Sequence, residues 1–368
     1  MELTDAVYEE RVRRARNEMA ERGVDALLLS NGADLPYLVG YQAMALERLT
    51  MLVLTADDAQ LVIPGFEAAR VTRRNDAFDV LSWTETEDPI AIVGRLLSSG
   101  ASACVGDTTW ARFVIDLMRS RPDLDLRRST EVMTPMRAVK DAAEIAALRA
   151  AAHAADVVAA DLQGGRIPLI GRPEADVSAD LGRRLIEEGH DKVNFAIVAS
   201  GPNAASPHHE PGARVIEPGE VVLCDFGGTM NGYCSDITRC VHTGEVPGEF
   251  SDLYAVLFES QAAGVAASGA GGQCQDVDRA ARSVIDAAGF GEYFIHRTGH
   301  GIGMEAHEDP YMIEGNDEAL VAGHAFSVEP GIYVSGRWGA RLEDIVVAAS
   351  DGPDPLNEAE HGLMVVEA

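Results

Sequence analysis

Cysteine is scarce in this sequence and shows no pattern: Cys104, Cys224, Cys234, Cys240 and Cys274 are odd in number, and no two stand at CxxC spacing. That argues against a disulfide framework and a structural zinc knuckle, and it fits a reducing, cytoplasmic setting. Long apolar runs are missing too. Stretches such as LTMLVLTA at 49–56 have the length of a buried strand, far short of a bilayer span. The first residues, MELTDAVYEERVRRARNEMAERG, alternate charges at helical spacing with no apolar segment, so neither a secretory signal nor a membrane anchor is expected there. Basic residues are outnumbered, 30 Lys and Arg against 59 Asp and Glu, for a net charge of −29. Charge of that sign repels phosphate backbones and anionic lipid, which argues against nucleic acid or membrane as a partner.

What the chain does have is an ordinary globular composition, 46% hydrophobic and 24% charged over 368 residues, enough for two domains with cores of their own. Residues 7–22 carry apolar positions at helical spacing. VDALLLS (24–30) reads as a buried strand, and the pattern returns in LTMLVLT, AQLVI, DVLSW and SACVG with helical stretches between several of them. An α/β domain over 1–138 is expected, closing near the polar stretch RPDLDLRRSTEVMTPMRAVKD. From Asp141 to about Leu162 the sequence is rich in strong helix formers, and after it the texture changes to hairpins punctuated by Gly and Pro. Helices at about 173–189, 251–268 and 274–288 among antiparallel strand pairs predict an α+β domain over 139–368.

Four segments of that second domain could carry chemistry. In VVLCDFGGTMNGYCSDITRCV (221–241) two β-prone runs flank Asn231-Gly232, a strong two-residue hairpin signal. Opposed residues across such a turn differ by an odd number and side chains alternate faces. Asp225 and Asp236, eleven positions apart, therefore share a face within reach of one cation. Buried charge needs a partner or a metal. The plain alternative has Asp225 capping a turn and Asp236 paired with Arg239. FIHRTGHGIGMEAHEDP (294–310) concentrates His296, His300 and His307, three of the ten histidines. AFSVEPGIYVSGRWGARLEDIVV (325–347) places Glu329 and Glu343 at the edges of two apolar runs, and a pairing of Glu343 with Arg341 is the plain alternative there. A polar loop, SGPNAASPHHEPGAR (200–214), adds His208 and His209. His153, His190, His242, His324 and His361 are expected to be structural, and Cys224 and Cys234 to be core residues.

Taken in order, these segments resemble the M24 metallopeptidase family, in its aminopeptidase P, prolidase and creatinase branch. The resemblance implies a C-terminal pita-bread catalytic domain behind a smaller creatinase-like N-terminal domain. It implies metal ligands at Asp225 in CDFGG, Asp236 in SDITR, His300 in TGHGIG, Glu329 in VEPGIY and Glu343 in RLEDIV. Two divalent ions are implied, Mn²⁺ first among Mn²⁺, Co²⁺, Zn²⁺ and Fe²⁺, together with a water that they activate. His208 in SPHHEP resembles a substrate-holding histidine and His307 in MEAHEDP one that polarises the carbonyl. Glu329 resembles the proton shuttle, and His296, Tyr333 and Arg341 match residues that line or brace the site.

The implied substrates are proline-containing dipeptides or short peptides cut at the Xaa-Pro bond, and the implied assembly is a homodimer. Some members carry an arginine after the HExP string that reads a dipeptide's carboxylate. Tyr311 stands there in this chain, which weighs against a strict dipeptidase. The overall length resembles compact bacterial prolidases, and Xaa-Pro dipeptidase is favoured over aminopeptidase P. The reading of a different class is a non-catalytic peptide-binding module on the same fold.

Overall fold

The structure is a computed structural model that describes residues 4–74 and 76–366. The chain divides into two compact units, Met1–Arg137 and Ala138–Ala368.

In the N-terminal unit the helix Asp5–Arg22 buries Tyr8, Val12, Ala15 and Met19, the stripe that the apolar spacing predicts. A six-stranded mixed sheet runs in the order Asp79–Trp83, Ala59–Pro64, Met51–Thr55, Ala26–Leu29, Ser102–Val105, Asp125–Arg128. Ala26–Leu29 is buried along its whole length, as a central strand must be. The polar stretch read as the end of this domain folds further than its composition suggests. Asp125–Arg128 forms an edge strand and Thr130–Ala138 a helix. Only one strand neighbours such an edge, so DLRR keeps its outer residues in water and offers no hydrophobic run to read.

The C-terminal unit is built of two five-stranded sheets and a hairpin, with helices outside. One sheet runs Met364–Val366, Ile237–Thr243, Val221–Met230, Lys192–Ser200, with Tyr233–Cys234 paired to the third strand. The other runs Glu308–Met312, Gly299–Gly301, Ala325–Val328, Asp344–Ala349, Gly352–Pro355. The helix Ala142–Gln163 starts on a capping box in which Asp141 accepts from the Ala143 and Glu144 amides and Glu144 reaches back to the Asp141 amide. The helix Glu174–Glu187 buries Val177, Leu181 and Leu185 against Val198, Val222, Cys224 and Phe226. Each such side chain contributes about 1.5–3 kcal/mol of transfer free energy.

Asn231 and Gly232 turn the central hairpin with φ of 51° and 84°, both left-handed, as a type I′ turn requires. The register Thr229↔Cys234 continues as Phe226↔Ile237 and Asp225↔Thr238. Asp236 thus stands diagonal to Asp225, opposite Gly227. A Cβ at Gly227 would lie 2.1 Å from the Ser235 carbonyl oxygen, so only glycine lets the returning strand come this close. Gly227→Ala is expected to cost about 2 kcal/mol or more by forcing the two strands apart. Denaturant unfolding checks this, and a midpoint equal to that of the unaltered protein would contradict it.

Candidate active site

Alternation along Val221–Met230 decides which side chains meet. Val222, Cys224 and Phe226 enter the core under the helices, and Asp225 emerges on the other face. Asp236 ends the turn segment just before Ile237–Thr243, His300 is the middle residue of Gly299–Gly301, and Glu329 follows Ala325–Val328. Glu343 lies between Trp338–Arg341 and Asp344–Ala349. An isolated bridge joins it to Thr238 and so ties the two sheets at this point. The Glu343 amide donates to the Thr238 carbonyl (3.3 Å), and the Thr238 hydroxyl donates to Glu343 Oε2 (2.6 Å).

Ligand-capable atoms of Asp225, Asp236 and Glu343 lie within 4.8 Å of one another. The same holds for His300, Glu329 and Glu343, and for Asp236, His300 and His307. Asp236, His300 and Glu343 are each shared between two of these groups. His300 Nε2 stands 3.3 Å from Glu329 Oε1 and 3.8 Å from Asp236 Oδ2. Its Nδ1 is 3.1 Å from the Gly301 carbonyl, so a proton there leaves the Nε2 lone pair facing the carboxylates. The Ser327 hydroxyl accepts from the His300 amide (3.0 Å) and donates to Glu329 (3.1 Å), fixing both residues from behind.

The electrostatics favour a further cation. Asp225, Asp236 and Glu343 are buried and Glu329 partly so, and Arg341 is the charged group that faces them. Burial, then repulsion from Glu343, Asp225 and Glu329, raises the Asp236 carboxyl well above its ordinary range. Burial, then Glu329 and Asp225, does the same to Glu343. Burial pushes the His300 imidazole down to about 4, so it is a neutral donor at pH 7. Arg341 holds its proton more tightly than usual: burial opposes the charge, and Tyr333, Asp225, Glu329 and Glu343 outweigh it. Asp225 gives Oδ2 to Arg341 and keeps Oδ1 buried with no hydrogen-bond partner. Four converging carboxylates, a neutral imidazole and an orphaned carboxylate oxygen fit divalent cations.

The comparisons agree with that chemistry. Residues 137–350 match the model of Metallopeptidase family M24, and residues 11–139 match the Creatinase/Prolidase N-terminal domain. The chain belongs to family M24. It is 42% identical to a Mycobacterium tuberculosis protein described as "probable dipeptidase PepE", over 98% of this chain and 97% of that one. It is 32% identical to an Xaa-Pro dipeptidase of Lactobacillus delbrueckii subsp. lactis, over 95% and 97%. The crystal structure of dipeptidase PepE from Mycobacterium ulcerans superposes over the full length of both chains with a TM-score of 0.94 at 40% identity.

In this M24 member one cavity, about 830 Å³, is lined by Asp225, Asp236, His300, Glu329, Glu343 and Arg341 and also by His208, His296 and His307. The His300 and His307 rings lie 3.9 Å apart; His307 is exposed at the cavity, and partial desolvation, then His300 itself, pushes it down to about 4. His296 Nε2 is 2.9 Å from the Tyr333 hydroxyl, which accepts from Arg341 Nη1 at 2.9 Å. His208 is exposed on its loop, and Arg341 Nη1 also reaches the neighbouring Pro207 carbonyl (3.3 Å).

Neither plain pairing forms. Arg239, fully buried, pairs with Asp344 and donates to the Glu343, Ala359 and Glu360 carbonyls, and Arg341 pairs with Asp225. His190 contacts the Leu185 carbonyl and Ser235, and His361 contacts Asp344; neither lines the cavity.

The residues that support the site carry no motif of their own. Asp278 accepts from the Thr298 amide and hydroxyl and from Arg282, holding the strand that carries His300. Its signal was an acid among Val277, Ala281 and Ile285 with an arginine four positions on. Glu174, buried, accepts from Ser200 and Asn203 and lies 2.8 Å from His209 Nε2, which anchors the loop bearing His208.

A carboxyl whose folded pKa exceeds its unfolded one contributes stability below the unfolded value, and that contribution is lost as pH rises through the folded value. With metal chelated, Asp236→Asn is therefore expected to be more stable than the unaltered protein by on the order of 1–3 kcal/mol at about pH 8, the difference shrinking toward about pH 4. Added Mn²⁺ is expected to raise the Tm of the unaltered protein and to leave that of the variant nearly flat. Denaturant and thermal unfolding across pH measure both; a variant less stable than the parent at the alkaline end would contradict the account.

Proposed function

We propose that this M24 metallopeptidase is an Xaa-Pro dipeptidase working with two divalent ions, Mn²⁺ preferred, on Asp225, Asp236, His300, Glu329 and Glu343. The observation that carries the reading is the convergence of these five donors on one wall of a cavity of peptide size, with Asp225 Oδ1 left unsatisfied. Ions held there supply Lewis acidity, which lowers the pKa of a water and polarises a carbonyl.

The chain's own groups do the rest. Glu329, at the cavity face and braced by Ser327, is placed to carry a proton from the attacking water to the departing proline nitrogen. His307 is neutral at pH 7 and opens into the cavity, where its ring N–H can donate to the oxygen that gains charge as the peptide bond breaks. His208 lies across the same space and orients the substrate. Tyr333, whose hydroxyl burial pushes up, stays protonated and links His296 to Arg341. Arg341 in turn fixes Asp225.

The Xaa-Pro bond is a tertiary amide with no N–H to bind, so the ring must be recognised by shape. Phe195, Ile197, Phe294, Ile295 and Ile313 supply apolar surface to the same cavity. The complete donor set supports this reading over that of a peptide-binding module, which has no use for an uncompensated carboxylate cluster.

After chelation and reloading with Mn²⁺, Co²⁺ or Zn²⁺, the protein is expected to cleave an Xaa-Pro dipeptide faster than an Xaa-Pro-Yaa tripeptide. Asp236→Ala is expected to abolish both reactions. His307→Ala is expected to lower kcat by roughly 10²-fold, the usual consequence of removing one donor to a developing oxyanion. Faster cleavage of the tripeptide would move the assignment to aminopeptidase P; no cleavage with any metal would favour the binding module.

A further inference from the structure

Three guanidinium groups line the cavity: Arg282, Arg297 and Arg341. Two are already neutralised. Arg341 pairs with Asp225, and Arg282 grips Asp278 with Nε and Nη2 at 3.0 Å each while donating to the Phe294 and His296 carbonyls. The lining carboxylate Glu314 is held by Arg279 at 2.6 Å. Arg297 differs from both other arginines. Among the described residues it makes no ion pair, and its guanidinium carbon sits 4.2 Å from the centroid of the Tyr311 ring.

The placement is firm. Arg297 directly precedes Thr298, whose amide donates to the Met312 carbonyl (3.0 Å), and the pairing continues as Gly299↔Met312 and His300↔Tyr311. Two paired β-segments therefore hold the cation and the ring beneath it. A contact with a ring face leaves guanidinium hydrogen-bond donors available to a ligand.

A dipeptide is a zwitterion, and Asp225, Asp236, Glu329 and Glu343, with the divalent ions proposed among them, form one wall of this cavity. The anionic end of the substrate needs positive charge elsewhere in the cavity, and Arg297 is the lining cation with no carboxylate of its own among the described residues. We infer that Arg297, carried on Tyr311, binds the C-terminal carboxylate of the dipeptide and so sets the preference for dipeptides over longer chains. In a longer peptide an uncharged amide occupies that position, and a planar fork with parallel donors favours a carboxylate over it. The inference rests on the peptidase reading above and adds the residue that selects substrate length.

The test compares alanyl-proline, alanyl-prolinamide and alanyl-prolyl-alanine on the Mn²⁺-loaded full chain, with Arg297→Ala and Arg297→Lys alongside and thermal unfolding as the check on folding. The unaltered enzyme is expected to favour the free acid over the amide by about 10- to 100-fold in kcat/KM, carried by KM, as loss of a charge-assisted contact implies. That ratio is expected to fall toward unity in Arg297→Ala and to lie between the two in Arg297→Lys. L-Proline is expected to inhibit better than L-prolinamide, with the difference lost in Arg297→Ala. A ratio unchanged in a folded, active Arg297→Ala would overturn the inference and leave the peptidase reading standing. Failure of the unaltered protein to cleave any of the three would remove that reading and the inference with it.

Discussion

Uncompensated negative charge at the junction of two sheets is the constraint on which the rest of this structure depends. Asp225, Asp236, Glu329 and Glu343 converge with one guanidinium among them, in a setting where burial already disfavours ionised carboxyls. A fold does not hold such a cluster for stability, because each charge costs more to bury than its neighbours return. The arrangement makes sense when cations of higher charge enter it. The surrounding devices then have a common purpose, which is to keep the acids together before the ions arrive. Gly227 allows the close return of the hairpin, the Thr238–Glu343 bridge ties one sheet to the other, and Arg341 fixes Asp225 while leaving its second oxygen open.

A second layer keeps the histidines in register with the acids. Asp278 secures the strand bearing His300, Ser327 links His300 to Glu329, and Glu174 with His209 anchors the loop bearing His208. Arg239, fully enclosed, donates to the Glu343 carbonyl and pairs with Asp344. These contacts are polar and buried, so each partner left alone would carry a desolvation penalty of about 1–3 kcal/mol, which favours a single arrangement of the site.

Much of this is legible in the sequence. Periodicity located Asp5–Arg22, the buried strands of the first unit and the long helix Ala142–Gln163, because those elements carry their apolar stripe or their cap in their own sequence. The hairpin at Asn231-Gly232 was readable for the same reason, since the turn chemistry is local, and it placed Asp225 and Asp236 on one face. Asp125–Arg128 was not readable, because an edge strand needs no continuous apolar run. The plain alternatives that sequence proximity offers, Arg239 with Asp236 and Arg341 with Glu343, do not form, because the sheet register presents Asp344 and Asp225 to these arginines instead. Tyr311 read alone counted against a carboxylate-binding subsite; the fold stacks Arg297 on that ring, a contact between neighbouring strands that no local pattern encodes.

The most direct test of the central claim is anomalous diffraction from crystals equilibrated with MnCl₂, recorded near the manganese edge. Two peaks are expected, each within bonding distance of Asp225, Asp236, His300, Glu329 or Glu343, with Asp225 Oδ1 contributing to one of them. Absence of manganese from this cavity, or peaks held by other residues, would contradict it.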